Sequence, residues 1–321
     1  MSRGSGKKVL VTGGAGYIGS VTSAVLLERG YEVTVLDDLS TGFRNAVPEG
    51  ATLVQASLLH SHRVLDPSYE AVLHFAASAL VEESFRVPEE YWRNNVIGTF
   101  ALLEAMRTVG IRRLVFSSTC AVYGEAPSVP ITEGDPERPI NPYGASKLAV
   151  DHMIRNECEA HGLAAASLRY FNVAGAYRRF GERHDPESHL IPLALRATQG
   201  QGDTLSVHGT DYATPDGTCV RDYVHVADLA EAHLLAMANA TPRMHQVVNL
   251  GSGRGFSVLE VIEAVEQVTG RSVPVVEGAR RVGDPAVLVA SNARASAELG
   301  WRPRRASLVE MVSDAWTFMN R

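Results

Sequence analysis

The stretch "VTGGAGYIGS", residues 11–20, decides the fold that this chain is expected to adopt. It joins a β-branched run, "KKVLVTG", to a segment at 17–29 whose apolar residues recur at helical spacing. Three glycines stand in GxxGxxG spacing at this junction: Gly13, Gly16 and Gly19. Such glycines let the backbone approach a pyrophosphate closely, and the N-terminus of the following helix offers it free N–H groups. A glycine turn also occurs as a plain connection, so the rest of the chain must decide between the two interpretations.

An acidic residue ends the second β-branched run, "YEVTVLD". An acid at this position bonds the ribose hydroxyls of the adenosine half and repels a 2′-phosphate, so Asp37 favours NAD over NADP. Arg44 follows closely in the sequence and weakens this discrimination. With Asp37 in place, the glycine turn predicts a dinucleotide-binding unit rather than a plain connection.

The alternation of strands and helices continues through the first half of the chain. Further strand-like runs lie at 51–56, 71–77, 112–118 and 165–171, and helical patterns lie at 89–109 and 142–161. This alternation is typical of an α/β fold with a Rossmann-type doubly wound parallel sheet. Beyond Asn172 the loops lengthen and the patterns shorten. We expect residues 1–175 to form an NAD-binding domain and residues 176–321 a smaller mixed α/β substrate domain, with some segments returning to the first.

The composition is that of an ordinary globular protein, with 45% hydrophobic and 21% charged residues. The 30 lysine and arginine residues against 36 aspartate and glutamate residues give a net charge of −6. That balance provides no general attraction to nucleic acid or to an acidic membrane. No apolar run approaches the ~20 residues of a membrane span, and the polar "MSRGSGKK" does not resemble a signal peptide. We expect a cytoplasmic protein without nucleic-acid or membrane partners.

The cysteines and histidines predict neither disulfides nor a metal site. Cys120, Cys158 and Cys219 are odd in number and widely spaced, unlike a disulfide framework. The eleven histidines form no two-ligand helix motif, and the chain has no CxxC pair. Cys120 adjoins Thr119 but has no evident histidine partner, which favours packing over a nucleophilic role.

The segment "NPYGASK" carries the residues that we expect to perform the chemistry. Tyr143 and Lys147 stand one helical turn apart, so a helix places them on one face. A positive charge near a phenol lowers its pKa, which would let Tyr143 act as a base at neutral pH. The run "FSST" places Ser117, Ser118 and Thr119 at the end of the fifth strand, where parallel sheets bind ligands. Tyr143 would then exchange a proton with a hydroxyl whose carbon exchanges hydride with the nicotinamide, and Thr119 would hydrogen-bond the same oxygen.

With these residues assembled, the chain resembles the extended short-chain dehydrogenases/reductases, and among them the bacterial UDP-galactose (UDP-glucose) 4-epimerase family. The resemblance runs nearly end to end. Its motifs are "VTGGAGYIGS", "HFAA", "NNVIGT", "FSST", "NPYGASK", "LRYFNVAGA", "HLIP", "VRDYVHVADLAEAH" and "RVGDPA". It implies an isomerase that interconverts UDP-glucose and UDP-galactose through a 4-keto intermediate with tightly bound NAD. It further implies a homodimer formed through helices of the larger domain.

The same resemblance implies a set of site residues. Those expected at the cofactor are Gly13, Gly16, Tyr17, Ile18, Gly19, Asp37, Asp38, Ser57, Leu58, Phe75, Ala76, Ala77, Asn95, Ser117, Tyr143, Lys147 and Tyr170. Those expected at the UDP-sugar substrate are Thr119, Tyr143, Asn172, His189, Leu190, Arg221, Arg281, Asp284 and Leu288.

The resemblance also implies individual roles on the substrate side. Asn172 would meet the diphosphate, and Arg221 and Arg281 would clamp it, as planar guanidinium groups grip phosphate bidentately. Asp284 would bind the uridine ribose, and His189 would face the sugar or the uracil. Asn95 would support the backbone of the active site.

Four residues depart from the family pattern. Ser57 stands where relatives usually have an acid that bonds adenine, and Ser78 and Ala79 stand where a lysine is common near the cofactor. Glu82 stands where relatives often have glycine. These departures should loosen cofactor contacts without removing the chemistry, and they leave the choice of sugar open.

Three alternatives to a UDP-glucose 4-epimerase remain. Leu288 aligns with a tyrosine found in relatives restricted to unacetylated sugars, so UDP-N-acetylglucosamine is a second candidate substrate. A 4,6-dehydratase would need an acidic pair where this chain has Cys120 and Ala121. A non-catalytic NAD-binding protein would commonly lack Tyr143 or Lys147, and this chain keeps both.

Overall fold

The structure is a computed structural model that describes residues 6–200, 204–281 and 284–321. Within them the strands are β1 (Lys8–Thr12), β2 (Glu32–Asp37), β3 (Thr52–Gln55), β4 (Tyr69–His74), β5 (Arg113–Thr119), β6 (Ala164–Tyr170), β7 (Asn172–Ala174), β8 (Leu205–His208), β9 (Val220–His225), β10 (His245–Leu250), β11 (Gly255–Ser257), β12 (Val275–Gly278) and β13 (Val287–Leu288). The α-helices are α1 (Tyr17–Glu28), α2 (Val81–Arg86), α3 (Pro88–Tyr91), α4 (Gly98–Val109), α5 (Pro142–His161), α6 (Leu190–Thr198), α7 (Val226–Asn239), α8 (Val258–Thr269) and α9 (Leu308–Met319).

Seven strands form one all-parallel sheet in the order β10-β6-β5-β4-β1-β2-β3. The order reverses between β1 and β4, because the chain runs outward from β1 through β2 and β3 and then returns to β4. Ligands of such sheets bind in the crevice at this reversal, beyond the carboxyl ends of the strands. The predicted α/β fold with a doubly wound parallel sheet is therefore confirmed.

Apolar runs form the central strands because helices cover both faces of the sheet. Successive strand residues point to opposite faces. Val9 and Val11 pack with α1 and α7 on one face, whereas Leu10 packs with α4 and α5 on the other. All three side chains are completely buried, which anchors β1 at the centre of the protein and fixes the position of the turn that follows it.

The helix expected at 89–109 is interrupted. A π-helical segment, Trp92–Ile97, separates α3 from α4. Insertions of this kind occur frequently at functional sites, because they re-aim a side chain without ending the helix. Here the segment carries Asn95, which is buried. The period of apolar residues alone could not reveal this insertion.

The later part of the chain contributes to two regions. The strand β10 and the helix α7 join the large sheet, β10 at its edge and α7 against α1. The remaining elements build a second region in which β7 and β9 pair in parallel and β11 and β13 flank β9. The helices α6, α8 and α9 pack around an apolar core of their own there, beside a two-stranded sheet of β8 and β12.

Two further features bear on the expected environment of the protein. Cys120, Cys158 and Cys219 are all free thiols. Among the described residues, we find no helix with the length and apolar character that a membrane crossing requires.

Candidate active site

The turn after β1 has a geometry that requires glycine at two positions. Gly13 adopts φ +70°, and a Cβ there would lie 2.5 Å from the backbone nitrogen of Ala76. A Cβ on Gly19 would overlap the carbonyl oxygen of Gly13. Both residues therefore allow the turn, the loop after β4 and the start of α1 to approach one another closely.

Gly16 has a different role, because an added Cβ would meet only the Gly13 carbonyl oxygen, at 3.4 Å. It is the N-cap of α1 and provides no side-chain cap, so the first N–H groups of that helix are available to an external acceptor. The open backbone at Gly16 is the cradle that a dinucleotide pyrophosphate needs. The turn thus fits the predicted cofactor.

Asp37 lies at the carboxyl end of β2, beside this turn. Its two carboxylate oxygens accept hydrogen bonds from the backbone nitrogens of Ala15 and Leu39, each at 2.9 Å. Burial raises the pKa of this carboxyl above its ordinary value. The side chain of Arg44 points toward β3, where it donates to Gln55 Oε1 at 2.5 Å. Each oxygen of Asp37 keeps a second lone pair for a ribose hydroxyl, and its selection of NAD stays a prediction.

The other residues expected near the adenosine half of the cofactor differ in their exposure and in their hydrogen-bonding groups. Asp38 is exposed and accepts hydrogen bonds from Ser40. Ser57 Oγ accepts a hydrogen bond from Leu59 N at 3.4 Å and caps the short helix that follows it. Leu58 is buried in the core between the sheet and α4, so only its backbone could face a ligand.

The loop after β4 adjoins the glycine turn and carries three residues expected at the cofactor: Phe75, Ala76 and Ala77. The backbone nitrogen of Phe75 donates to Thr12 O at 2.9 Å, and its ring lies 4.6 Å from the ring of His233. These contacts align the two loops at the reversal point of the sheet. On the opposite side of the turn, Tyr17 Oη donates to Gly175 O at 2.5 Å.

Tyr143 and Lys147 lie in the first two turns of α5, which Asn141 caps by accepting from Gly144 N at 2.7 Å. Lys147 is buried and donates from Nζ to Ser117 O at 2.8 Å. Its ammonium lies 6.0 Å from the centre of the Tyr143 ring. The structure therefore brings together the helix and the strand end that the sequence expected to converge.

Thr119 and Tyr170 complete the polar groups around the phenol. Thr119 lies near the hydroxyl of Tyr143, and its side chain acts to lower the pKa of the phenol. The hydroxyls of Ser117 and Tyr170 hydrogen-bond each other, and both side chains are buried. The end of β5 is thus lined with hydroxyl groups that can hold and pass a proton.

The pKa values of the central pair differ from the sequence expectation. Burial raises the pKa of Tyr143 to about 12, whereas the sequence predicted a lowered value. Burial also lowers the pKa of Lys147 to about 7, opposed by the charge of Asp151. Loss of hydration outweighs the attraction between ammonium and phenolate. A further positive charge beside the phenol, such as an oxidised nicotinamide, would lower the pKa of Tyr143 and so favour its role as a base.

Asn95 supports the site through its amide. It accepts from Ser78 N at 2.8 Å and donates to Ser78 O at 3.0 Å and to Ser146 Oγ at 3.0 Å. It therefore ties the loop before α2 to the helix that carries Tyr143 and Lys147. The π-helical segment aims this side chain inward.

Sequence reasoning missed Tyr91, which packs edge-on against Tyr143 with ring centres 6.3 Å apart. Its hydroxyl donates to Leu80 O at 2.5 Å and contacts Glu83 Oε2 at 2.9 Å. The only signal in the sequence was its place just before "WRNN". Asp151 and Arg169, buried behind Lys147, were missed as well.

On the substrate side, β9 and β13 bring three of the expected residues together. Arg221 forms an ion pair with Asp284, and Leu288 lies opposite Arg221 in the parallel register. Leu288 also packs against an apolar cluster that includes Phe171. Asn172 donates from its amide to Asp222 O at 3.0 Å. The four assignments to substrate stay predictions.

Arg281 is exposed, and the next two residues of "RVGDPA", at 282 and 283, lie outside the described residues. Its expected contact with phosphate therefore rests on the motif alone. Leu190 begins α6, directly after His189.

His189 belongs to a cluster with Glu182 and His184, whose potential ligand atoms lie within 4.8 Å of one another. Each imidazole is already bonded to a carboxylate, His184 Nδ1 to Glu182 Oε1 at 2.5 Å and His189 Nδ1 to Glu187 Oε1 at 2.7 Å. The bond to Glu182 raises the pKa of His184. Burial opposes the same effect at His189, but the acidic neighbours still raise its pKa. Each imidazole thus already has a carboxylate partner, and the expected absence of a metal site stays a prediction.

The chain matches the profile of the NAD dependent epimerase/dehydratase family over residues 9–251. It is 58% identical to the UDP-glucose 4-epimerase of Streptomyces lividans over 314 residues, which cover 96% of this chain and 95% of that one. The crystal structure of UDP-glucose 4-epimerase from Brucella ovis in complex with NAD superimposes with a TM-score of 0.93, at 45% identity, covering 97% of this chain and 98% of that one. The UDP-glucose 4-epimerase from Bifidobacterium longum in complex with NAD+ and UDP gives a TM-score of 0.92 at 34% identity, covering 98% of both chains.

Proposed function

Because this chain belongs to the NAD dependent epimerase/dehydratase family, we infer that it is an NAD-dependent UDP-sugar 4-epimerase that interconverts UDP-glucose and UDP-galactose. The observation that carries this conclusion is the convergence of Tyr143, Lys147 and Thr119 beside a glycine turn built for a dinucleotide. The near full-length similarity to UDP-glucose 4-epimerases supplies the reaction.

The residues around Tyr143 perform the proton half of this reaction. NAD, held by the glycine turn at Gly13, Gly16 and Gly19, would supply the hydride-transfer chemistry at C4 of the sugar. Tyr143 takes the proton of the 4-hydroxyl and later gives it back, and Thr119 holds the same oxygen in place. Lys147 supplies positive charge to the phenol. Because UDP-glucose and UDP-galactose are at the same oxidation state, the reaction consumes no external reductant.

Arg221 and Asp284 support the proposed nucleotide site. Arg221 is mostly buried, so a phosphate that reaches it exchanges water for a fixed, charge-assisted contact. Asn172 lies on β7, which pairs with the strand that carries Arg221. Firm contacts to the nucleotide and few contacts to the sugar would let the 4-keto sugar rotate in the pocket and present its opposite face.

The second candidate function is 4-epimerisation of UDP-N-acetylglucosamine. The observation that favours it is Leu288, a residue smaller than tyrosine, at the edge of the strand opposite Arg221. Its packing against the cluster that includes Phe171 fills part of that space and supports the unacetylated pair instead.

We also propose a homodimer formed through the helical stretch that carries Asn95. Three large apolar side chains are exposed along it, Trp92, Ile97 and Phe100, and a symmetric partner would bury the same patch on both copies. Light scattering after gel filtration should give the mass of two chains. The double variant Ile97→Glu, Phe100→Glu should give one chain, whereas Met244→Glu, a charge placed on an exposed apolar residue elsewhere, should leave the dimer intact.

We retain residues 1–175 and 176–321 as the proposed NAD-binding and substrate domains, with β10 and α7 returning to the first. A cytoplasmic location is proposed as well, because three free thiols suit a reducing compartment. Cell fractionation tests the location, and the thiols should react with a thiol reagent only after unfolding where they are buried.

A turnover assay tests the proposed function. The purified protein is incubated with UDP-galactose and, in a parallel reaction, with UDP-N-acetylgalactosamine. The products of each reaction are separated by anion-exchange chromatography. Conversion to UDP-glucose without added NADH is expected. Loss of the sugar from the nucleotide, formation of a stable 4-keto-6-deoxy sugar, or no conversion with NAD bound would overturn it.

A further inference from the structure

A buried group of charges lies directly behind Lys147. Arg169, on β6, and Asp151, on α5, are both completely buried. Arg169 donates to Asp151 Oδ2 from Nε at 3.2 Å and from Nη2 at 2.8 Å. Nη2 also donates to Glu137 Oε1 at 2.6 Å, and Nη1 donates to the hydroxyl of Tyr123 at 3.1 Å. The arginine is thereby fixed in one orientation, and so is the carboxylate that it holds.

Asp151 and Lys147 are neighbours on the same helix and against the same strand. They stand one turn apart on α5, a spacing that puts two side chains on one face. Lys147 Nζ bonds Ser117 O at 2.8 Å, and Asp151 Oδ2 accepts from Ser118 Oγ at 3.3 Å. Contacts to adjacent residues of β5 show that the two side chains lie side by side.

Arg169 uses only half of the Asp151 carboxylate. Within the described residues, Asp151 Oδ1 is buried and makes no hydrogen bond. Buried carboxylate oxygens are rarely left unpaired, because the protein must forgo their hydration. The negative charge of Asp151 also acts on its other neighbour, Lys147, and favours the ammonium form there.

Within residues 6–200, 204–281 and 284–321, the other titratable groups that face Lys147 do not offer the same support. His74, facing it from β4, is kept neutral because burial and the charge of Lys147 lower its pKa to about 3. Burial raises the pKa of the Tyr170 phenol, which also stays neutral. Burial lowers the pKa of Lys147 itself to about 7, and Asp151 is the group that opposes this effect.

We propose that Asp151, held in place by Arg169 and Glu137, is a positioning residue that keeps Lys147 in its ammonium form during turnover. This inference rests on the proposed 4-epimerase function. Lys147 and Arg169 carry two positive charges, and Asp151 and Glu137 balance them with two negative charges. Without the carboxylate of Asp151, Lys147 would lose the negative charge that favours its ammonium form, and its proton would be lost at lower pH.

The variant Asp151→Asn keeps the shape of the side chain and removes its charge. In the pH profile of kcat/KM for UDP-galactose, the midpoint of the alkaline decline should move down by about one pH unit, a tenfold change in the ionisation ratio. Activity well below that midpoint should stay near that of the unmodified protein. In Asp151→Glu, which keeps the negative charge, the midpoint should stay close to that of the unmodified protein. The matched control is Glu157→Gln, which removes a carboxylate from the same helix, one that is paired with Arg107, and should leave the midpoint unchanged.

A second readout does not depend on turnover. The titration of the Lys147 side chain, followed by NMR of nitrogen-15-labelled lysine and assigned by comparison with Lys147→Met, should have its midpoint at lower pH in Asp151→Asn, because the ammonium has lost its counter-charge. Should Asp151→Asn fail to fold, Glu137→Gln removes the outer carboxylate and should move the midpoint in the same direction by less. An equal loss of activity at every pH would show a merely structural role and overturn the proposal, as would an unchanged midpoint. Absence of activity in the unmodified protein would instead overturn the proposed function.

Discussion

Arg221 and Asp284, which the sequence assigned to the phosphate and the ribose of one nucleotide, form an ion pair with each other. The pair joins β9 to the segment before β13, far apart in the chain. Both side chains are partly shielded from water, so the attraction is stronger than in an exposed pair. A nucleotide that binds here must share both groups or separate them.

Asp284→Asn should therefore weaken UDP-sugar binding more than it slows the chemistry. The variant loses the ribose acceptor and leaves Arg221 without its counter-ion, and one charge-assisted hydrogen bond corresponds to roughly tenfold or more in KM. The sugar carbon reacts at Tyr143, so kcat should change little. Steady-state kinetics separate the two parameters. A fall in kcat at constant KM would contradict the assignment of Asp284 to the nucleotide.

Tyr143→Phe should lower kcat by ~10² or more, the usual contribution of one acid–base group. The ring and its edge contact with Tyr91 are kept, so UDP binding, measured by calorimetry, should be nearly unchanged. Lys147→Ala should reduce kcat similarly and should also weaken the binding of NAD. Near-normal rates in Tyr143→Phe would show that another group moves the proton.

Lys147→Met should stabilise the protein while it abolishes activity. Burial lowers the pKa of Lys147 to about 7 from an ordinary 10.5, so the unfolded chain binds this proton more tightly than the folded one. The lysine therefore destabilises the folded protein by its full amount at pH values below about 7, the pKa in the folded state. This destabilisation fades as the pH rises toward 10.5, the ordinary pKa. The difference in Tm between Lys147→Met and the unmodified protein should be positive at neutral pH and shrink in alkaline buffer. A difference that does not vary with pH would mean that Lys147 is not held with a lowered pKa.

Asp37 gives a prediction about the cofactor. NAD should copurify with the protein or bind more tightly than NADP, because the carboxylate repels a 2′-phosphate. Asp37→Asn keeps an acceptor for one of the two backbone N–H groups at the turn and removes the charge, so NAD affinity should fall and discrimination against NADP should shrink. Mass spectrometry of the denatured protein and titration of both dinucleotides measure this. Tighter binding of NADP by the unmodified protein would contradict the role of Asp37.

The sequence predicted the parts of the site that follow from short spacings. The glycine turn needed only its neighbours, and Tyr143 and Lys147 needed only the helical period. The support behind them depends on side chains distant in sequence, such as Asp151 with Arg169, and on the π-helical insertion that aims Asn95. Neither has a local signature. The direction of the Tyr143 pKa was also missed, because the sequence shows charges but not the depth of burial that outweighs them.

Leu288 provides the test of sugar choice. It lies opposite Arg221 and packs against the apolar cluster that includes Phe171 and the partly buried Cys120, next to Thr119. A tyrosine at 288 would take up space beside C2 of the sugar, so Leu288→Tyr should reduce kcat/KM for UDP-N-acetylglucosamine more than for UDP-glucose. One lost or gained apolar contact changes such ratios by roughly 10- to 200-fold. Val287→Tyr is the matched control, because neighbouring strand residues point to opposite faces, and it should leave the ratio of the two activities unchanged. Equal loss of both activities in Leu288→Tyr would show that this residue packs the strand and does not discriminate at C2.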